Sequence, residues 1–289
     1  MTQSILGIIG GSGFYNLPGL DNPRWEAVAS PWGAPSDQIL FAEIAGLPIR
    51  FLPRHGRGHK LSPSGIDYRA NIDAMKRAGV TDLVSISACG SFREELPPGH
   101  FVLVDQFIDR TRGRTSESTF FSDGCVAHAH FADPVWEPLR QVALQASRAA
   151  GATAHDGGTY LCMEGPLFST RAESRLYRSW GVDVIGMTNL QEAKLAREAE
   201  IAYTTIALVT DYDCWHASEA DVDVTAVLAV IKQNVDLARR VVAELAKGIA
   251  ANPPISAAGC MQHAVMTHKD RVSADARRRL QLLVGRYLG

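Results

Sequence analysis

The sequence predicts an α/β fold, and three observations lead to that prediction. Apolar, β-branched runs alternate with segments whose apolar residues recur at helical spacing. Most of the apolar runs end abruptly in small or polar residues, as strands do where an open sheet binds a ligand. The 289 residues contain no internal repeat and no linker long enough to divide the chain. One domain is therefore the simplest interpretation.

Composition excludes several classes of protein. Hydrophobic residues make up 46% of the chain and charged residues 21%, which is typical of a soluble globular protein. A net charge of −2 argues against a nucleic-acid-binding surface. We find neither a signal-peptide pattern nor an apolar run that could span a bilayer. Five widely spaced cysteines favour reduced thiols, so we expect a cytoplasmic protein without membrane partners.

The first strand leads to a possible anion site. Residues 5–13 indicate a short buried strand followed by a glycine-rich turn. Ser12 and backbone N–H groups of that turn could bind an oxyanion, although a plain tight turn fits equally well. A dinucleotide-binding fingerprint fails, because Asn16 stands at its third glycine and no helix follows.

A hairpin with a basic end comes next. Residues 39–54 predict its two strands, and residues 53–60 form a cationic loop at the exit of the second strand. The planar guanidinium of Arg54 suits a phosphate group. His55 and His59 lie four residues apart in a glycine-rich loop, so a zinc helix motif is not indicated.

The next segments predict a helix and two strands. Apolar spacing indicates a helix over 63–79, and a buried strand follows over 82–91. Ser87 and Ala88 are small enough for a ligand to approach the backbone there. A further strand is predicted over 100–109.

Residues 111–133 form a polar, aromatic segment without periodicity. A loop of this length is more often a functional lid or a subunit contact than slack chain. Cys125, His128 and His130 match no common zinc spacing, so no metal site is predicted.

The alternation of helices and strands continues beyond this loop. We predict a helix over 134–150, a strand over 158–164, a helix beginning near 170, a strand over 183–189 and a helix from about 190. Thr170 and Glu173 have the spacing of a capping box. Phe168, just before it, is either a packing residue of that helix start or a flat surface for an aromatic ligand.

A buried strand over 203–211 ends in two carboxylates, Asp211 and Asp213. Acids this close can have their pKa values pushed apart, which keeps one of them protonated near neutral pH. On position alone, a polar turn leaving the strand is an equally good interpretation. Apolar spacing then indicates a long amphipathic helix through 224–242, and a terminal helix is expected over 271–286.

The candidate residues at the strand ends combine an anion site with a proton donor, without a catalytic triad or a metal-ligand set. This combination suits a reaction in which phosphate attacks a carbon while an acid protonates the leaving group.

Seven motifs resemble those of the trimeric purine nucleoside phosphorylase and methylthioadenosine phosphorylase family. They lie at residues 10–13, 53–57, 68–71, 87–91, 105–111, 164–169 and 210–215. The resemblance covers about residues 5–245 in matching order. It implies a phosphorylase domain over 1–250, and leaves 251–289 as a C-terminal extension, expected to be helical and to pack on the same domain.

The resemblance implies a mixed, partly barrel-like sheet flanked by helices, and a homotrimer or a dimer of trimers. The implied reaction is phosphorolysis of a methylthio nucleoside to adenine and 5-methylthioribose 1-phosphate, a step of purine and methionine salvage. Inorganic phosphate is a co-substrate, and neither a cofactor nor a metal is implied. The implied catalytic residues are Asp211, at purine N-7, and Asp213, at the 6-amino group.

The resemblance also implies two sets of binding residues. The phosphate-binding set is Ser12, Arg54, His55, Ser87, Ala88 and Thr188. The nucleoside-binding set is Phe168, Ser169, Ile185, Met187, Val224, Val227, Leu228 and, from a neighbouring subunit, His130. In the second set, the valines and Leu228 form an apolar pocket for the 5′-methylthio group, and Phe168 stacks on the purine.

One position departs from the family pattern, because Gly186 stands where relatives often carry Asn. Two alternatives therefore stay open. The chain could be a methylthioinosine or 6-oxopurine nucleoside phosphorylase, or a nucleoside-binding protein without catalysis. The acid pair and Arg54 argue against the second alternative, since a pure binder needs no phosphate site beside a proton donor.

Overall fold

A computed structural model describes residues 4–11, 19–114, 117–122, 124–216 and 224–288. Its strands are β1 (Leu6–Gly10), β2 (Asp21–Glu26), β3 (Ile39–Ile44), β4 (Leu47–Pro53), β5 (Asp82–Ser91), β6 (Phe101–Leu103), β7 (Gln106–Arg110), β8 (Ala154–Asp156), β9 (Thr159–Met163), β10 (Val184–Gly186) and β11 (Ala202–Asp211). Its α-helices are α1 (Tyr68–Arg77), α2 (Glu137–Ala149), α3 (Arg171–Ser179), α4 (Asn189–Glu198), α5 (Val224–Ala251) and α6 (Ala274–Leu288).

Strand β5 is the centre of the sheet. It pairs in parallel with β1 on one side and with β11 on the other, and its end pairs antiparallel with β10. Strands β4, β3 and β2 extend the sheet beyond β1, whereas β9 and β7 extend it beyond β10. Strands β6 and β8 continue from β11. The predicted α/β class with a large mixed sheet is therefore confirmed.

Apolar side chains alternate between the two faces of the central strands. Ile9 and Leu83 belong to a core cluster that includes residues of α1, α4 and α6. Their neighbours Ile8 and Val84 belong to a second cluster, with residues of α2 and α5. This period of two is what a strand buried on both faces requires. Among the described residues, no helix has the length and apolar character needed to cross a membrane.

The structure corrects several predicted boundaries. The helix predicted over 63–79 is a short 3-10 turn, Pro63–Gly65, followed by α1, because the Asp67 side chain caps α1 by accepting from the N–H of Ala70. The strand predicted over 100–109 is two strands, β6 and β7, which pair with different neighbours.

Two strands were missed, and one predicted helix start is confirmed. Strand β2 is largely exposed and contains Pro23, so it lacks an alternating pattern, and β8 has only three residues. The capping box of α3 is present, because the Thr170 hydroxyl accepts from the Glu173 N–H and the Glu173 carboxylate accepts from the Thr170 N–H.

Candidate active site

Four parallel strands, β4, β1, β5 and β11, end at the same edge of the sheet. The topology therefore brings Arg54, just beyond β4, to the same edge as Ser87 on β5 and Asp211 at the end of β11. The start of α4 joins them, because the Ser87 hydroxyl donates to Asn189 Oδ1 at 2.9 Å. Ligands of open α/β sheets bind at this edge.

Arg54 is buried, with 2% of its surface exposed, and its charge is paired with Glu192. Nε of Arg54 lies 2.5 Å from Glu192 Oε1, and Nη1 donates to the Ile86 carbonyl at 3.1 Å. The Ser85 hydroxyl also donates to Glu192, at 2.7 Å. A buried cation needs such a partner, since an unpaired charge in the interior costs several kcal/mol.

The predicted cationic loop is therefore not one basic surface. Arg57 lies at the surface, where its Nη2 is 2.7 Å from Asp37 Oδ1, whereas Arg54 lies inside. Glu192, which balances Arg54, was missed by sequence reasoning. It lies in the interior of α4, 138 residues away, where a helical glutamate gives no local signal of its role.

His55 is a neutral imidazole at neutral pH. Burial lowers its pKa to about 4, and the nearby charge of Arg54 adds to that shift. Nδ1 lies 2.8 Å from the carbonyl oxygen of Leu61, which can only accept, so Nδ1 carries the proton. The ring stacks on His59 with 4.3 Å between centroids. Nε2 of His55 is left as an acceptor, which suits a protonated oxygen of a phosphate.

The hydroxyls near the start of α4 share one acceptor. Asn189 Oδ1 accepts from Ser87, from Thr188 at 3.1 Å and from Tyr160 at 3.3 Å. Asn189 is fully buried, and its amide nitrogen donates to the Thr205 hydroxyl. Thr188 is thus brought beside Ser87, as their shared predicted role requires.

The acid pair lies where β11 leaves the sheet. Gly90 of β5 is opposite Asp211, and a Cβ at Gly90 would lie 2.8 Å from Asp211 Oδ1, so this glycine makes room for the carboxylate. Asp211 accepts from the Thr210 hydroxyl at 2.7 Å and from the N–H of Asp213 at 2.8 Å. That backbone contact fixes the two acids relative to each other.

Both acids have raised pKa values. Burial raises the pKa of Asp211, although its hydrogen bonds oppose the shift. Burial also raises the pKa of Asp213 to about 6, and the charge of Asp211 adds to this, while the hydroxyls of Ser174 and Ser169 oppose it. Within the described residues, Oδ2 of Asp213 has no hydrogen-bond partner. A partly protonated carboxyl pair of this kind can donate a proton to a bound base.

The loop between β9 and α3 lies beside the acids. Cys214 donates from Sγ to the carbonyl oxygen of Ser169 at 3.3 Å, which ties this loop to the residue after Asp213. Phe168, just before Ser169, is 43% exposed, so its ring is accessible to a ligand. Ile185 is buried and lies against the backbone at Gly90.

Met187 lies on the same side, against Gly165, the second residue of the loop between β9 and α3. A Cβ at Gly165 would lie 3.3 Å from Cγ of Met187. The loop between β9 and α3 and the residue directly after β10 are therefore neighbours, with little space between them.

Gly186 is required by its neighbour Tyr160. A Cβ at Gly186 would lie 2.7 Å from Cζ of the Tyr160 ring and closer still to the hydroxyl oxygen. No side chain fits at Gly186 while Tyr160 keeps this position. Glycine at this position therefore fits the space that the Tyr160 side chain leaves.

Other predicted residues lie elsewhere or outside the described chain. Ser12 and the side chain of Val224 are outside the described residues. Val227 is partly buried and Leu228 is 50% exposed on the first turns of α5. His130 is exposed, and its carbonyl oxygen accepts from Arg197 at 2.6 Å. The roles of all these residues in binding stay predictions.

Comparisons with known proteins agree on one family. Residues 5–247 match the model of the phosphorylase superfamily. The chain is 53% identical over 289 residues to an S-methyl-5′-thioadenosine phosphorylase of Cereibacter sphaeroides, with 99% of each chain covered. It is 52% identical over 286 residues to the protein of the same name from Geobacter sulfurreducens, covering 99% of this chain and 100% of the relative.

Solved structures give the same answer. A methylthioadenosine phosphorylase from an antarctic soil metagenomic library is similar with a TM-score of 0.92 and 44% identity, over 98% of this chain and 100% of that one. A methylthioadenosine phosphorylase of Schistosoma mansoni in complex with adenine is similar with a TM-score of 0.80 and 37% identity, over 86% and 93% of the two chains. Because residues 5–247 match the family model and relatives about half identical cover nearly the whole chain, the chain belongs to the phosphorylase superfamily.

Proposed function

We propose that the protein catalyses the phosphorolysis of S-methyl-5′-thioadenosine to adenine and 5-methylthioribose 1-phosphate. The proposal rests on the acid pair, Asp211 and Asp213, whose pKa values are raised. Arg54, Ser87 and Thr188 lie near the same edge of the sheet. The names of relatives about half identical over the whole chain support the choice of substrate.

The reaction exchanges one bond at the ribose carbon for another. A phosphate oxygen forms a bond to C1′, the bond from C1′ to N-9 breaks, and its electron pair stays with the purine. A proton delivered to N-7 neutralises the leaving base. Positive charge develops on the ribose in the transition state, and a bound phosphate dianion stabilises it.

On this proposal, phosphate binds to the side chains gathered around the ends of β1, β4 and β5 and the start of α4. Arg54, whose charge Glu192 balances, contributes guanidinium donors at these strand ends, and the Ser87 and Thr188 hydroxyls donate once they turn away from Asn189. Ser12, His55 and Ala88 complete the proposed phosphate site. Inorganic phosphate is a substrate here, and we propose no cofactor.

The purine binds between Phe168 and the acid pair. Asp211 donates its proton toward N-7, and Asp213 accepts from the 6-amino group. Exclusion of water by the bound base raises both pKa values further, since burial disfavours the charged carboxylate. The proton is then available when the leaving group needs it.

The methylthio group binds in an apolar pocket formed by Val224, Val227 and Leu228, and the partner subunit's His130 closes it. This assignment requires an oligomer, and we propose a homotrimer, as the family resemblance implies. The exposure of Leu228 and His130 in the single chain supports a contact there. All five cysteines are unpaired, which supports a reducing, cytoplasmic location.

The proposal is tested with purified protein and four nucleosides: methylthioadenosine, methylthioinosine, adenosine and inosine. Each is incubated with and without phosphate, and free base is measured. We expect phosphate-dependent release of adenine, fastest from methylthioadenosine. Preference for methylthioinosine would contradict the assignment of Asp213, and phosphate-independent release or no cleavage would contradict phosphorolysis.

A further inference from the structure

Arg114 is a buried arginine that neither the acid pair nor the phosphate site uses. It lies four residues beyond β7, in the aperiodic segment after the strand, and only 1% of its surface is exposed. Burial of a guanidinium is costly, so its partners are informative. The partners are five residues from three separate segments of the chain, at positions 64 and 68, 164, and 187 and 191.

Two of these partners are backbone carbonyls that border the nucleoside side of the site. Nη1 donates to the carbonyl oxygen of Met187, and Nη2 donates to the carbonyl oxygen of Glu164. Met187 precedes Thr188 and the start of α4. Glu164 opens the loop that carries Phe168 and Ser169. One planar group thus joins the two segments that supply the proposed nucleoside contacts.

Glu164 balances the charge of Arg114. Its Oε1 lies 3.1 Å from Nε of Arg114, and its Oε2 accepts from the N–H groups of Arg112 at 2.5 Å and Gly113 at 3.0 Å. Although burial opposes the shift, the Ser64 hydroxyl and these N–H groups lower the pKa of Glu164 to about 2. The carboxylate is therefore ionised at every pH where the enzyme would work.

Uncharged groups hold the rest of the guanidinium in place. The Tyr68 hydroxyl is 3.1 Å and Gln191 Oε1 is 3.3 Å from Nη1. Five donors in a fixed plane can satisfy two carbonyls and a carboxylate at once, whereas a lysine ammonium cannot match this geometry.

We propose that Arg114, held by Glu164, is a positioning residue for the nucleoside half of the site: it fixes the loop bearing Phe168 and Ser169 relative to Met187. This inference rests on the proposed phosphorolysis. Without the guanidinium, two carbonyls lose their donor, and the segments beyond the paired ends of β9 and β10 are held less tightly. A shift of about 1 Å at a binding group can cost on the order of a hundredfold in rate.

The test compares Arg114→Lys and Glu164→Gln with Arg112→Met. The side chain of Arg112 is in the same segment but exposed, which makes it the matched control. We measure the KM values for methylthioadenosine and for phosphate, and thermal unfolding of each variant. We expect Arg114→Lys to raise the KM for the nucleoside about tenfold or more, with the phosphate KM changed less than about twofold, and Arg112→Met to match wild type.

Adenine binding, measured by calorimetry without phosphate, separates this inference from the proposed function. If wild type binds adenine but does not cleave nucleosides, the proposed function fails, while a loss of adenine affinity in Arg114→Lys still supports the positioning role. A folded Arg114→Lys and Glu164→Gln with wild-type nucleoside KM and adenine affinity would overturn it. An equal rise in the KM values for the nucleoside and for phosphate would also overturn the positioning role, since a purely structural role would affect both substrates alike.

Discussion

Asp213 combines an unusual backbone conformation with an unusual side-chain environment. Its φ is +52°, in the left-handed region that most residues with a Cβ avoid. Aspartate and asparagine tolerate this region better than other residues. Local strain of this kind collects at functional sites, where the surrounding structure holds it. Here the Asp213 N–H donates to Asp211, so the turn that strains one acid also orients the other.

Asp213→Asn is predicted to change the choice of base without disturbing the turn. Asparagine keeps the size and the left-handed conformation, but it presents an amide N–H that can donate to a 6-oxo group. We expect the ratio of kcat/KM for methylthioinosine to that for methylthioadenosine to rise at least about tenfold, which corresponds to about 1.4 kcal/mol. Asp270→Asn, at the exposed surface, is the control. An unchanged ratio would remove Asp213 from base recognition.

Gly186 and Tyr160 are in close contact, and the Tyr160 ring occupies the space that a side chain at position 186 would need. Gly186→Ala is predicted to destabilise the protein by about 1–3 kcal/mol, because overpacking forces the tyrosine or the strand to move. Tyr160→Phe removes the hydroxyl nearest the new methyl group, so the double variant should recover part of the loss. Denaturant unfolding of the two single variants and the double variant measures this coupling. Strict additivity would contradict the steric explanation.

At the scale of elements, α4 connects the site to the aperiodic segment. Its first residue is Asn189, its interior supplies Glu192 to Arg54, and its last residue, Glu198, accepts from the Thr119 hydroxyl and from the N–H of Phe120 at 2.6 Å. One helix therefore holds the proposed phosphate site at one end and the segment after β7 at the other.

Glu198 makes this connection dependent on pH. Burial raises its pKa to about 7, although the two hydrogen bonds oppose the shift. The folded state therefore binds more protons than the unfolded state between about pH 4.5 and 7, and stability falls as pH rises through that window. The loss from this group is at most about 3 kcal/mol and is complete above pH 7.

Glu198→Gln is predicted to abolish that part of the pH dependence. The difference in unfolding free energy between the variant and wild type should change by up to about 3 kcal/mol between pH 4.5 and 7.5, in favour of the variant at the higher pH. Urea unfolding at several pH values measures it, with the surface variant Glu244→Gln as the control. A difference that stays constant with pH would show that Glu198 titrates normally.

Only part of the site and of the sheet could be predicted from the sequence. The location of Asp211, Arg54 and Ser87 at one edge of the sheet could be predicted, because a polar residue directly after or late in an apolar run is a local pattern and parallel pairing brings such strand ends together. Glu192 and Arg114 were missed because their partners lie 138 and up to 77 residues away, and a helix interior or an aperiodic loop carries no sign of them. Strand β2 was missed because an exposed edge strand has no apolar period.

At the scale of the whole molecule, the segment after α5 is part of the main core. Met261, Leu280 and Leu288 are buried in the same cluster as residues of α1 and α4. Glu200, just beyond α4, is the polar anchor of this packing. Its Oε1 accepts from the N–H groups of Gly259 and Met261, each at 3.0 Å, and the carboxylate also meets Arg286 and Tyr287.

Removal of this anchor is predicted to release the extension while the sheet stays folded. Glu200 has a φ of +53°, which glycine adopts without strain, so Glu200→Gly removes the side chain without straining the backbone. We expect a loss of about 2–4 kcal/mol, because the backbone donors of Gly259 and Met261 lose their acceptor and the half-exposed Arg286 loses its ion-pair partner. Tyr287→Phe, which removes one hydrogen bond, should cost only about 1 kcal/mol.

Limited proteolysis followed by mass spectrometry shows which part of the chain is released: cleavage within 251–289 should accelerate in Glu200→Gly far more than in Tyr287→Phe. Uniform acceleration over the whole chain would instead mean that the extension and the sheet unfold as one cooperative unit.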